Sequence, residues 1–73
     1  MAKLELQNKI KIHRAIKNVT QEELASEIGV TRKTINTIEN GKFIPSTILA
    51  IKLAHFFGIK VEDLFFLTAF DSV

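Results

Sequence analysis

Between residues 19 and 39 the chain signals the start of a helix twice in close succession. In "VTQEELASEIG", Thr20 and Glu23 stand at capping-box spacing. Each side chain can satisfy a free backbone N–H of the other residue, and Val19 and Leu24 flank them as a hydrophobic staple. Leu24, Ala25 and Ile28 then form one apolar stripe, and Gly29 supplies a left-handed stop. This predicts a helix over 21–28. Only three residues later the pattern returns: Val30 is the staple residue, Thr31 the N-cap and Ile35 the staple's partner. Ile35 and Ile38 face inward, and the second helix ends near Glu39 at "NGK".

Two short helices joined by a tight turn containing a glycine make a helix-turn-helix. Neither is long enough to be stable alone, so the rest of the chain must supply packing partners. Upstream, Ile10, His13, Arg14 and Lys17 outline a first helix that stops at Asn18, a residue tolerant of the left-handed conformation. Downstream, Pro45 and Ser46 open a fourth helix with a stripe of Leu49, Leu53 and Phe57, Ala50 and Ala54 beside it, and a stop at Gly58. Ile59 and Leu64 bracket a short fifth helix from about Val61, for which Lys60 is a poor cap. The period-two stretch "KLELQ" and the aromatic and β-branched tail "FFLTAFDSV" read as strands. The expected fold is therefore mainly α: a compact five-helix bundle with a helix-turn-helix and a small antiparallel ribbon made by the termini. Residues 1–73 are expected to form one domain, with 1–7 and 67–73 as terminal segments available for strand pairing or dimer contacts.

The composition narrows the options further. At 73 residues roughly 60% of the unfolded chain's surface is buried on folding, so stability is thin. The chain has no cysteine, and His13 and His55 lie far apart without partners at ligand spacing. Neither disulfides nor a structural metal is expected to compensate, and no cofactor or small-molecule ligand is indicated. No run approaches the ~18 apolar residues of a membrane span, and "MAKLELQNK" lacks the apolar centre of a signal peptide. The expected location is the cytoplasm. Residues 1–42 carry eight Lys/Arg against five Asp/Glu, and residues 43–73 carry two against three. The basic part is a candidate surface for a polyanion.

At ~100° per residue, Thr31, Ile35 and Ile38 define the inner edge of the third helix. Lys33, Asn36, Thr37 and Asn40 then fall on the opposite edge, with Arg32 and Thr34 on the flanks. Arg and Lys can donate to guanine O6 and N7, Asn can bond adenine bidentately, and Thr can offer thymine a hydroxyl or a methyl. A polar helix face is commonly just solvated surface. As the second member of a helix-turn-helix, it is better read as a surface for the major groove.

The run "TQEELASEIGVTRKTINTIENGKFIPS" closely resembles phage repressor and Cro-type (XRE-like) helix-turn-helix proteins, over about residues 8–66. The resemblance implies a lambda-repressor-like arrangement of helices and a role for individual positions. Arg32, Lys33 and Thr37 match base-reading positions; Thr34 contributes to a base or a phosphate, and Asn36 is a less consistent reader. Gln21 matches a phosphate-binding glutamine at a helix N-terminus, where free N–H groups favour an anion. Asn40 and Lys42 fall in the loop that grips backbone phosphate. Arg14 and Glu39 match a partly buried salt bridge between the first and third helices. Two positions depart from the pattern. His13 stands in place of the usual leucine and is read as a core or boundary residue. Ile12 and Ile16 stand where charges are frequent, and are expected to pack against the terminal segments or a partner.

A single recognition helix covers few base pairs. Such proteins bind as twofold dimers on half-sites about 34–36 Å apart. "LFFLTAF" offers more apolar surface than so small a core needs once Leu64 and one phenylalanine are assigned to it. Phe65, Phe66, Leu67 and Phe70 are the candidates for a homodimer interface. The resulting expectation is a sequence-specific double-stranded-DNA-binding transcriptional regulator, a repressor on a palindromic operator. The alternatives are an antitoxin of a toxin–antitoxin pair and an adaptor that keeps the bundle without reading DNA. An enzyme is not expected: there is no cysteine, no acid–base partner for either histidine and no phosphate-binding glycine loop.

Overall fold

The computed structural model describes residues 2–71, with side chains over 4–69. The elements run β1 (Ala2–Asn8), α1 (Ile10–Lys17), α2 (Gln21–Ile28), α3 (Arg32–Glu39), α4 (Thr47–Phe57), α5 (Val61–Leu64) and β2 (Phe65–Asp71). This is the expected five-helix arrangement with a ribbon of the two termini.

The helix ends follow from local chemistry. The Thr20 hydroxyl accepts from the Glu23 backbone N–H at 3.0 Å, and the Glu23 carboxylate accepts from the Thr20 N–H at 2.9 Å. Gly29 ends α2 at φ 85°, a left-handed conformation that costs glycine little, and the chain re-enters a helix at once. Thr31 and Ser46 cap α3 and α4 through their side-chain oxygens. Asn18 closes α1 in the left-handed conformation. Lys60 offers α5 no side-chain cap, and that helix has only four residues.

These short helices surround a core of Ile10, Leu24, Ala25, Ile28, Ile35, Ile38, Leu49, Leu53, Ala54, Leu64 and Phe65. Phe57, expected on the inner stripe of α4, is half-buried at its edge. Its ring lies 5.2 Å from Phe56 in an edge-on pair and 5.7 Å from His13. His13 is thus a boundary residue stacked at the rim of the core.

β1 and β2 pair antiparallel with Leu6 opposite Leu67 and Asn8 opposite Phe65. Because directly paired residues share a face, Leu4, Leu6 and Asn8 lie on one side with Phe65, Leu67 and Ala69. Only the base of that face reaches the core. Phe65 is 7% exposed, whereas Leu4 and Leu67 are 65% and 62% exposed. Phe65, expected at a dimer interface, is therefore a residue of the core, because the strand's first residue still lies beneath the helices. The side chain of Phe70 lies outside the described residues. Ile12 and Ile16 are exposed, so the described parts of the terminal segments do not cover them.

Candidate nucleic-acid interface

The geometry of α3 begins with what holds it. Ile35 and Ile38 are fully buried against α2 and the core. At its C-terminus, Glu39 receives the Arg14 Nε at 2.6 Å, the Arg14 Nη2 at 3.2 Å and the Gln21 Nε2 at 3.1 Å. Arg14 also donates from Nη1 to the Val19 carbonyl at 3.2 Å. One carboxylate thus ties α1, the start of α2 and the end of α3 together. It is well enclosed, with side-chain exposures of 16% for Arg14 and 5% for Glu39. Such a pair needs good geometry and full hydrogen bonding to offset desolvation. Both are present, and no buried side-chain polar atom lacks a partner among the described residues.

Asn8 fixes the same helix from the other side. Its Nδ2 donates to the Ile38 carbonyl at 2.9 Å, while its Oδ1 accepts the Ile10 backbone N–H at 3.2 Å. This residue starts α1 and anchors the end of α3 to the ribbon. Sequence reasoning passed over it, although an Asn two residues before a helix start is a recognisable capping signal.

With its inner face fixed, α3 turns the side chains of Arg32, Lys33 and Asn36 outward, where they line one shallow depression. Arg32 also borders a second depression, at the N-terminus of α2, with Arg14, Thr20 and Gln21. Lys33 borders a third, with Thr34, Thr37, Lys42 and Phe43. Through Arg32 and Lys33 the three form a continuous track across the helix-turn-helix. Among the described residues Arg14–Glu39 is the one ion pair, so Arg32, Lys33 and Lys42 stand unpaired along this track.

The structure therefore brings together Gln21, Arg32, Lys33, Thr34, Asn36, Thr37 and Lys42. Gln21 has its amide nitrogen turned onto Glu39, which places it at the edge of the track. Asn40 is set apart. Its Nδ2 donates to Asn36 Oδ1 at 3.1 Å, and it borders the cleft beneath β1 with Leu4, Leu6 and Ile44. Gly41, at φ 74°, then reverses the chain so that the N–H groups of Lys42 and Phe43 both bond the Thr37 carbonyl, at 2.9 and 3.2 Å. That turn places Phe43, unremarked in the sequence, beside the outer face of α3. The Glu23 carboxyl is held below the ordinary glutamate range by its hydrogen bonds with the Thr20 backbone and hydroxyl.

No group of three or more His, Asp or Glu is placed to hold a metal among the described residues. No helix there is long and apolar enough to cross a membrane.

Fold and surface together define a helix-turn-helix protein, and its family and relatives are transcriptional regulators, a non-enzymatic class. Residues 10–64 match the helix-turn-helix family, and the chain belongs to its phage-repressor and Cro-type (XRE-like) branch. It is 55% identical over 60 residues to an uncharacterised HTH-type transcriptional regulator of Methanocaldococcus jannaschii, covering 82% of this chain and 91% of the relative. A further HTH-type regulator, from Bacillus subtilis, is 44% identical over 62 residues, covering 85% of this chain and 94% of its own. Among solved structures, the restriction-modification controller protein C.AhdI of Aeromonas hydrophila superposes with a TM-score of 0.69 at 28% identity, covering 74% of this chain and 82% of that one. The clp gene regulator ClgR of Corynebacterium glutamicum gives 0.69 at 31% identity, over 74% of this chain and 57% of its own length.

Proposed function

We propose that this chain is a sequence-specific double-stranded-DNA-binding transcriptional regulator, acting in the cytoplasm as a homodimeric repressor on a palindromic operator. The observation that carries the reading is the track of unpaired cations on α3, a helix whose C-terminal end is held by Arg14–Glu39 and Asn8. Arg32, Lys33 and Asn36 have the donors to read base edges, with Thr34 and Thr37 beside them. Lys42 and Gln21, nearer the margins, are suited to backbone phosphate, and Asn40, set apart beside Asn36, is the further phosphate candidate. Supporting self-association are the exposed apolar residues of the ribbon, Leu4, Phe66 and Leu67.

A second reading, an antitoxin or adaptor with a protein partner, draws on a different surface. Ile48 and Ile51 of α4 and Ile12 and Ile16 of α1 are exposed, and none of them lines the three depressions of the α3 track. Selection from a random duplex-DNA pool, followed by anisotropy titration at two salt concentrations, separates the two. A twofold-symmetric consensus with tight, steeply salt-dependent binding is the expected result. No enriched sequence, with only weak salt-sensitive binding, would overturn it in favour of the adaptor.

A further inference from the structure

The third depression of the track differs in character from the other two. It is a cleft of about 340 Å³ with a predominantly apolar wall, lined by Thr31, Lys33, Thr34, Thr37, Lys42 and Phe43. Its threonines have little left to donate. The Thr37 hydroxyl bonds the Lys33 carbonyl at 3.0 Å and the Thr34 carbonyl at 2.9 Å. Threonine in a helix uses this rotamer to reach back to the preceding turn. With the oxygen laid against the helix, the γ-methyl is left on the outer side. The Thr34 and Thr31 hydroxyls lie 3.0 Å apart, and Thr31 also accepts the Thr34 N–H to cap the helix. Phe43 closes the cleft, held there by its backbone bond to Thr37. Lys33 and Lys42 supply positive charge around this apolar floor.

We propose that Thr37, with Thr34 and Phe43, is a receptor for the 5-methyl group of thymine, so that this part of the helix selects an A·T pair by apolar contact. The inference deepens the proposed function and rests on it. In the major groove thymine alone of the four bases carries a methyl, and threonine methyls and phenylalanine are suited to meet it. The surrounding ammonium groups complement the phosphates flanking the groove. A hydroxyl free to rotate would accept several bases; one locked onto two carbonyls leaves shape as the means of discrimination. Thr37 is thus a specificity determinant whose methyl matters more than its hydroxyl.

The test starts from the duplex selected out of the random pool. Each thymine is replaced singly by deoxyuridine, which removes the methyl and keeps every Watson–Crick group, and binding is measured by anisotropy. One thymine per half-site should show about a fourfold loss, the equivalent of one methyl group withdrawn from an apolar contact. Thr37→Ser, which keeps the hydroxyl and loses the methyl, should discriminate the thymine and uracil duplexes clearly less than the unmodified protein does. Thr37→Val, which keeps a methyl, should retain the penalty, and Phe43→Ala, at an exposed position, should reduce it. A selected duplex with no uracil penalty anywhere, or a Thr37→Ser protein that keeps the full penalty, would overturn the thymine receptor alone. A pool that yields no preferred duplex would overturn the proposed function together with it.

Discussion

Replacing Glu39 by alanine removes the one acceptor shared by Arg14 and Gln21, and the size of the effect can be worked from their surroundings. Three hydrogen bonds are lost, two of them between opposite charges. Breaking a buried pair by removing one member costs about 3–5 kcal/mol, since the remaining charge is stranded. Two features pull this case to the lower end. Arg14 keeps 16% of its side chain exposed and its bond to the Val19 carbonyl, so part of the guanidinium can turn to water. Glu39 is also the last residue of α3, where a carboxylate opposes the helix dipole, and alanine recovers about 0.5 kcal/mol of that repulsion. The net expectation is about 3 kcal/mol. For a domain of this size each kcal/mol moves the midpoint by about 4–8 °C, giving a fall of roughly 12–24 °C.

Thermal and urea unfolding followed by circular dichroism would measure it, with Arg14→Met and the double variant completing a cycle. The double variant should be less destabilised than the sum of the singles, because neither charge is then left alone. At a temperature where Glu39→Ala remains folded, its affinity for all DNA sequences should drop alike, since α3 loses its fixed orientation rather than a reading group. A cost below about 1 kcal/mol, or strict additivity in the cycle, would refute the argument that this carboxylate holds three elements together.

Lys33→Ala should cost about 1–3 kcal/mol on the best duplex and relax preference at one base position, as competition titrations against single-base variants would report. Lys42→Ala should weaken all duplexes alike and lower the slope of log affinity against log salt by about one. The Glu23 contribution to the α2 cap has a definite pH sense: its carboxyl is held below the ordinary glutamate range. That stabilisation is full above the ordinary value and is lost as pH falls through the lowered one. The stability difference between wild type and Glu23→Gln should therefore shrink in acid unfolding experiments below that range. Leu67→Lys, on the exposed end of the ribbon, should leave the helical circular dichroism unchanged and shift the proposed dimer to monomer by sedimentation.

The helices were legible because their instructions are local. Thr20 with Glu23, Gly29, Thr31, Ser46 and Gly58 each act on backbone groups within a few residues, and each does so in the structure. The ribbon was legible from its period-two pattern, but its depth was not. Phe65 and Phe66 are neighbours of identical chemistry, and only the register decides that one reaches the core while the other faces solvent. In the candidate site, which residues lie on the outer edge followed from helix periodicity. What their side chains do with that position did not. Thr37 bonds back to its own helix, Gln21 turns to Glu39, and Asn40 turns to Asn36. Each choice depends on a rotamer or on a partner as many as 18 residues away. Asn8 escaped for the same reason, its second bond reaching across 30 residues.

The ribbon bears on the site more than its place at the edge suggests. A two-stranded ribbon is marginal in water unless something covers it. Here the base is covered: Phe65 is buried, Leu6 packs on the core, and Lys9 N–H extends the pairing to the Leu64 carbonyl at 2.9 Å. The outer half, with Leu4 and Leu67, has no such cover among the described residues. Asn8 sits at the junction, joined to α3 through the Ile38 carbonyl. In the proposed dimer, a second copy packed on the outer half would therefore act on the end of the reading helix through a single rigid link. Binding of two half-sites and closure of the ribbon would then favour each other.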